Sequence, residues 1–185
     1  LGALQIGPLT DLIYKNSVSL RGQYWLSGWN AGKTHPFTGV GMDSLGDWYR
    51  RSRDAHALVV PGPDTVVNAA HNVVLDMFAF GGFPLFITYL ALVGLVFVAI
   101  LKLTLRSKEF DPILVGLVTA WIGYQTQSII SINQIGLAVW GWLLGGTILA
   151  YEKSTRSNSH VNTPDISAKR KKTNGSQNLH LSMVA

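Results

Sequence analysis

The chain has 185 residues, a formal net charge of +5 and no cysteine, which excludes disulfides, thiolate metal sites and cysteine nucleophiles. Hydrophobic residues make up 48% and charged residues 14%, and the apolar residues gather into charge-free stretches flanked by polar ends. That contrast marks a membrane protein rather than a soluble domain built on one core.

The sequence opens on Leu1, with no basic n-region and cleavage site behind it, so no signal peptide is expected there. It reads as the C-terminal piece of a longer protein whose upstream membrane helices are partners of this part. Residues 1–76 hold five tryptophans and tyrosines between Tyr24 and Tyr49, together with many glycines. They are expected to form a folded extracytoplasmic loop with short amphipathic helices around Ser19–Ala31 and Asp43–Arg53, lying on the membrane surface.

From Met77 to Leu101 no residue is charged, and Lys102, Arg106 and Lys108 follow. A stretch of about 20 apolar residues spans a bilayer, so one helix fits here. Gly81, Gly82 and Pro84 near its beginning place the start of the span at about Pro84, running to about 103, because proline is tolerated in a first helical turn. The next charge-free stretch, Pro112–Tyr151, would measure about 60 Å as a single helix, twice the hydrocarbon core. It must fold back, and the polar interval Ser131–Gly136 is the place. Spans over about 113–130 and 135–151 result, joined by a hairpin at Asn133 and Gln134.

Lys102, Arg106 and Lys108 fall between the first and second spans, and Lys153 and Arg156 follow the third. The positive-inside rule makes both positions cytoplasmic, which sends the hairpin and residues 1–76 to the outer face. The six Lys and Arg of residues 1–76 do not oppose this, because long loops translocate largely regardless of charge. Residues 152–185 are rich in Ser, Asn, Thr and Lys, and include the run Lys169, Arg170, Lys171 and Lys172. They are expected to form a disordered basic cytoplasmic tail, which favours anionic lipid over nucleic acid as its contact. The expected fold class is therefore all-α: a polytopic membrane fragment with an outer-face loop region followed by three transmembrane helices.

Three outer-face stretches carry candidate chemistry. They are Arg21 with Trp25, the turn Pro36-Phe37-Thr38-Gly39-Val40-Gly41, and His71-Asn72-Val73-Val74-Leu75 ahead of Gly81 and Gly82. In this order they resemble the signature of the O-antigen ligase and polysaccharide polymerase (Wzy-type) superfamily. The resemblance covers about residues 18–151 and is specific for the superfamily rather than for its ligase branch. It implies a multi-pass protein of the bacterial plasma (inner) membrane. The implied activity is transfer of a glycan from a polyprenyl-diphosphate carrier to an acceptor (lipid A core, another glycan or a protein), with no metal and no cofactor.

On that resemblance Arg21 balances the charge growing on the leaving diphosphate, as a guanidinium binds phosphate oxygens in pairs and stays charged. His71 takes a proton from the acceptor hydroxyl or orients the acceptor, since imidazole titrates near neutral pH. Arg50, Arg51 and Arg53, beside Trp48 and Tyr49, are candidates for contact with the diphosphate or glycan, as is Trp25. Asn72 either orients the imidazole or caps the helix. The glycines at 39 and 41 read as a tight turn rather than a phosphate cradle, and His35 and His56 lack the spacing of a zinc site. Gln125, Gln127 and Ser128 need neighbours inside a membrane.

The competing readings are a polymerase of the same superfamily, a transporter or flippase component, and an outer-face binding module on a membrane anchor. A transporter places its functional polar groups at mid-membrane, whereas Arg21 and His71 lie in the outer loop region. A three-span piece cannot enclose a lipid-linked donor, so the isolated piece is expected to be inactive.

Overall fold

The computed structural model describes residue 8, residues 16–107 and residues 109–161; Lys108 and the basic run at 169–172 lie outside them. Two compact units are formed, Leu1–Leu149 and Ala150–Ala185. Among the described residues there are five α-helices, one short 3₁₀ helix and no strand. The α-helices are α1 (Asn16–Thr34), α2 (Leu45–Ser52), α3 (Val73–Arg106), α4 (Pro112–Ser128) and α5 (Ile135–Val161). The 3₁₀ helix is Ala55–Leu58.

Helix α1 is longer than the sequence pattern suggests, and its buried face is small and polar. Ser19, Gln23, Ser27 and Ala31 are buried, spaced at i, i+4, i+8 and i+12 on one side of the helix. Small residues let the beginning of α3 come close. A side chain at Gly28 would strike Ala70, and one at Gly32 would strike the Phe78 ring. Helix α2 is the amphipathic one, burying Leu45, Tyr49 and Ser52 while exposing Arg50 and Arg51. It is tied to α1 by the Asn30 amide, which donates to the Ser52 carbonyl at 3.0 Å.

Helix α3 begins at Val73, well ahead of the expected start at Pro84, and is broken in between. Gly81 (φ −133°, ψ 15°) and Gly82 (φ 62°, ψ −160°) leave helical geometry. The reason lies in the backbone donors. Pro84 has no N–H to give to the Phe80 carbonyl four residues back, and the Phe83 N–H turns away to the Pro36 carbonyl at 2.7 Å. The two stranded acceptors are served from outside the helix: Val40 N–H donates to Ala79 at 2.8 Å and Gly41 N–H to Phe80 at 3.1 Å. The Pro36–Gly41 turn and the Gly81–Gly82 break are thus two halves of one joint. Gly39 (φ 65°) and Gly82 (φ 62°) both sit in the left-handed region, and a side chain at either would run into the other half's backbone.

Beyond the joint, α3 continues to Arg106. Two helices, Val73–Arg106 and Ile135–Arg156, are long and apolar enough to cross a membrane. The 17 residues of α4 begin at Pro112 in its first turn, capped by Asp111, whose carboxylate accepts from the N–H groups of Ile113 and Leu114. Helix α5 runs on to Val161, past the expected end at Tyr151. Large apolar side chains on these helices face outward, among them Ile87, Leu95, Leu105, Ile113 and Trp140. Gln125 borders an apolar groove of about 160 Å³ with Tyr89, Trp121 and Trp142.

Candidate functional site

The turn between the 3₁₀ region and α3 delivers His71 to the side of α1. Asn72 caps α3, its side-chain oxygen accepting the Leu75 N–H at 3.1 Å. Of the two roles expected for Asn72, the structure displays the cap. The imidazole hydrogen goes elsewhere: His71 Nδ1 lies 3.1 Å from the Ala69 carbonyl. A carbonyl only accepts, so Nδ1 carries the hydrogen and a neutral ring keeps its lone pair on Nε2.

His71 itself has φ 58°, a left-handed conformation that costs a non-glycine residue on the order of 1 kcal/mol or more. Several contacts hold it there. The Tyr24 ring stacks on the imidazole with centroids 5.3 Å apart, and the Trp25 indole N–H makes a long bond, 3.5 Å, to the His71 carbonyl. The preceding N–H, that of Ala70, donates at 2.7 Å to the Asp76 carboxylate.

Arg21 stands one helical turn before Trp25 on α1, and positions three and four apart share a helix face. The helix face that begins with Arg21 therefore continues into the Tyr24–Trp25 pair that touches His71. The α2 cluster reaches the same place through aromatic rings, since Tyr24 meets the buried Tyr49 edge-on with centroids 6.4 Å apart. Within that cluster the arginines differ. Arg51 lies 5.3 Å from the centre of the Trp48 ring. Arg53 lies 5.9 Å from that of Tyr49 and donates to the Pro63 carbonyl at 2.9 Å, which binds the following loop to α2. Arg50 is exposed. His35 packs edge-on against Trp48, and His56 meets the Gln23 amide.

Beside His71 opens a cavity of about 400 Å³ lined by Asp43, Val66–Ala69, His71, Asp76, Phe80, Ile132 and Asn133. Ile132 and Asn133 belong to the α4–α5 hairpin, so the hairpin and the loop region meet at the same end of the helices. Sequence reading missed the two carboxylates here. Asp76 lies ahead of the Gly81–Gly82 break and is 1% exposed. Burial, with a smaller contribution from the neighbouring Asp43, pushes its carboxyl up to about 6, against the lowering effect of the Ala70 N–H. The available signal was an acidic residue in the first turn of an otherwise apolar helix, a position that also favours negative charge for dipole reasons and so was easily passed over.

No curated protein and no solved structure matches the chain. Residues 14–90, which hold Arg21, Trp25, the Pro36–Gly41 turn, His71 and the glycine joint, match the family model described as O-antigen ligase, and this match supports the assignment of that region to the O-antigen ligase and polysaccharide polymerase superfamily.

Proposed function

We propose that the chain carries the transfer site of an O-antigen-ligase-type glycosyltransferase, moving a glycan from a polyprenyl-diphosphate carrier to a hydroxyl acceptor at the outer face of the bacterial plasma membrane. The observation that carries the reading is the meeting of the Arg21 helix face with His71, through Tyr24 and Trp25, at the opening of a membrane helix. The neutral His71 ring offers Nε2 to the acceptor hydroxyl and takes its proton. The freed oxygen attacks the anomeric carbon, the bond from that carbon to the diphosphate oxygen breaks, and the Arg21 guanidinium balances the charge left on the diphosphate. Arg50, Arg51 and Trp25 line the approach for the diphosphate or glycan, while Arg53 contributes chiefly by holding the loop.

The proposed topology has residues 1–76 outside, three spans at about 84–103, 113–130 and 135–151, and the basic tail in the cytoplasm. It is supported by the closeness of the α4–α5 hairpin to the His71 cavity and by the cations at the other end of α3. Helix α4, at 17 residues, is at the short limit for a span. The family match serves a polymerase equally well. The product separates the two, since a ligase releases the glycan onto a new acceptor and a polymerase lengthens it on the carrier.

The test is a transfer assay in membranes at matched expression. His71→Ala is expected to lower transfer by about 10²- to 10⁴-fold, and Arg21→Ala to abolish it with lipid-linked donor accumulating. Arg21→Lys is expected to rescue poorly, because a point charge does not reproduce paired hydrogen bonds to phosphate. Wild-type transfer by the His71 and Arg21 variants would overturn the assignment and leave an anchored binding module.

A further inference from the structure

We propose that Asp76 is a positioning residue for His71: by accepting the Ala70 N–H, its carboxylate fixes the turn that holds the imidazole in its left-handed backbone conformation. The inference rests on the reading of His71 as the proton acceptor and extends it to a residue to which nothing else in the chain assigns a role.

The geometry is local and specific. Asp76 sits on the first turn and a half of α3, five residues beyond His71, and its Oδ1 reaches back to the Ala70 N–H at 2.7 Å. That N–H precedes a residue with φ 58°. The Ala69 carbonyl, in the same peptide bond as that N–H, receives the His71 Nδ1 hydrogen. One carboxylate oxygen thereby pins the peptide from which both the backbone twist and the tautomer of His71 are set. Without that acceptor the buried Ala70 N–H is left unpaired, and the turn can regain a bond only by moving. Relaxation of His71 toward negative φ would carry the ring off Tyr24 and off the Ala69 carbonyl, releasing the tautomer that leaves Nε2 as the base.

A packing role alone does not account for this residue. Asp76 is buried on a stretch of α3 whose neighbouring residues Val73, Met77, Ala79 and Phe80 are buried and apolar, and a buried carboxyl costs more than an apolar side chain there. The charged and titratable groups facing it are Asp43 across the cavity and His71 itself. Asp43 opposes ionisation and supplies no counter-charge. The group is thus held at a cost in stability beside a candidate site, the usual signature of a residue kept for geometry.

The experiment measures transfer by the full protein in membranes, per folded molecule, for Asp76→Ala, Asp76→Asn and His71→Ala, and for the Asp76→Ala/His71→Ala pair. Misplacement of a reacting group by about 1 Å costs on the order of 100-fold in rate. Asp76→Ala is therefore expected to lower kcat by about that factor, with the KM of donor and acceptor little changed. Asp76→Asn, which keeps an oxygen for the Ala70 N–H, is expected to restore kcat to within about threefold. In the His71→Ala background, Asp76→Ala is expected to cause no further loss, because its effect passes through the imidazole. A wild-type kcat in Asp76→Ala, an equal loss in Asp76→Asn, or an additive loss in the double variant would each overturn the proposal. Wild-type transfer in His71→Ala would instead overturn the underlying reading of the site. If Asp76→Ala fails to fold, the Asp76→Asn and Asp76→Asn/His71→Ala variants decide. A loss in Asp76→Asn beyond about threefold, or one that adds to that of His71→Ala, counts against the proposal.

Discussion

The chain before the Gly81–Gly82 break and the helices after it are held together by different means. Before the break, the fold depends on individual backbone groups. Pro36, Val40 and Gly41 trade hydrogen bonds with Ala79, Phe80 and Phe83, and polar side chains such as Ser27 and Asp76 are buried. After the break, the helices satisfy their own backbones and turn apolar side chains such as Ile87 and Leu95 outward, as a hydrocarbon solvent requires. One region places atoms and the other provides a span. A single substitution should therefore be far more disruptive in the first than in the second.

The glycines give the largest expected contrast. Gly82→Val adds a side chain where φ is 62° and where the Pro36 carbonyl already lies against the backbone. The loss of stability is expected to be about 3 kcal/mol or more, combining backbone strain with steric conflict. Gly94 lies in the helical part of α3 with nothing within 4 Å of an added side chain. Gly94→Ala is therefore expected to gain about 0.5–1 kcal/mol from helix propensity. Thermal unfolding of the two variants in detergent checks both signs, and a tolerated Gly82→Val would mean that the joint yields as easily as the span.

The second contrast is in pH. The Asp76 carboxyl has an unfolded value of 3.8 and a folded value of about 6, so the folded chain binds this proton more tightly. Its stabilising effect is complete below about 3.8 and is lost as the pH rises through about 6. A difference of that size corresponds to about 3 kcal/mol at most. Asp76→Asn keeps the acceptor for Ala70 and removes the titration. Relative to wild type, the variant should thus be more stable at pH 7.5 than at pH 5, by about 1.4 kcal/mol in difference. Unfolding curves for both proteins across this range measure it. Parallel pH dependences would show that the carboxyl is not desolvated as its burial suggests.

The helical character of the chain was legible in its charge-free stretches, because a bilayer imposes length and apolarity residue by residue. The joint was legible only in part. Gly39 and Gly41 read as a turn, and Gly81, Gly82 and Pro84 as a helix beginning, but no periodicity says that one will pair with the other. The clue was chemical: Pro84 leaves the Phe80 carbonyl without its helical donor, so a donor has to come from elsewhere in the chain. Asp76 and Asp43 were not legible as neighbours, since their approach depends on the left-handed turns at Asp43 and His71. Nor was the burial of α1 by small and polar residues, which carries no apolar stripe. Tyr24, which stacks on His71, stands out in the sequence only as one of several aromatics, as stacking is a property of the fold and not of spacing.

The arginines of α2 supply the smallest contrast, and it separates scaffold from substrate within one helical turn. Arg53 gives a hydrogen bond to the Pro63 carbonyl and covers the buried Tyr49 ring. Arg53→Ala should therefore cost about 1 kcal/mol of stability, loosening the loop and affecting transfer in proportion to the folded protein lost. Arg51 is exposed and leans on Trp48. The exposed cation–π contact is worth about 0.5 kcal/mol, so Arg51→Ala should leave stability nearly unchanged. If the guanidinium meets an anionic donor, the KM for that donor should rise several-fold, and the rise should shrink as salt screens the exposed charge. Unfolding and donor titration on the same two variants separate the effects. A stability loss in Arg51→Ala with an unchanged donor KM would make Arg51, like Arg53, part of the scaffold, and would shift the proposed contact with an anionic donor toward Arg21.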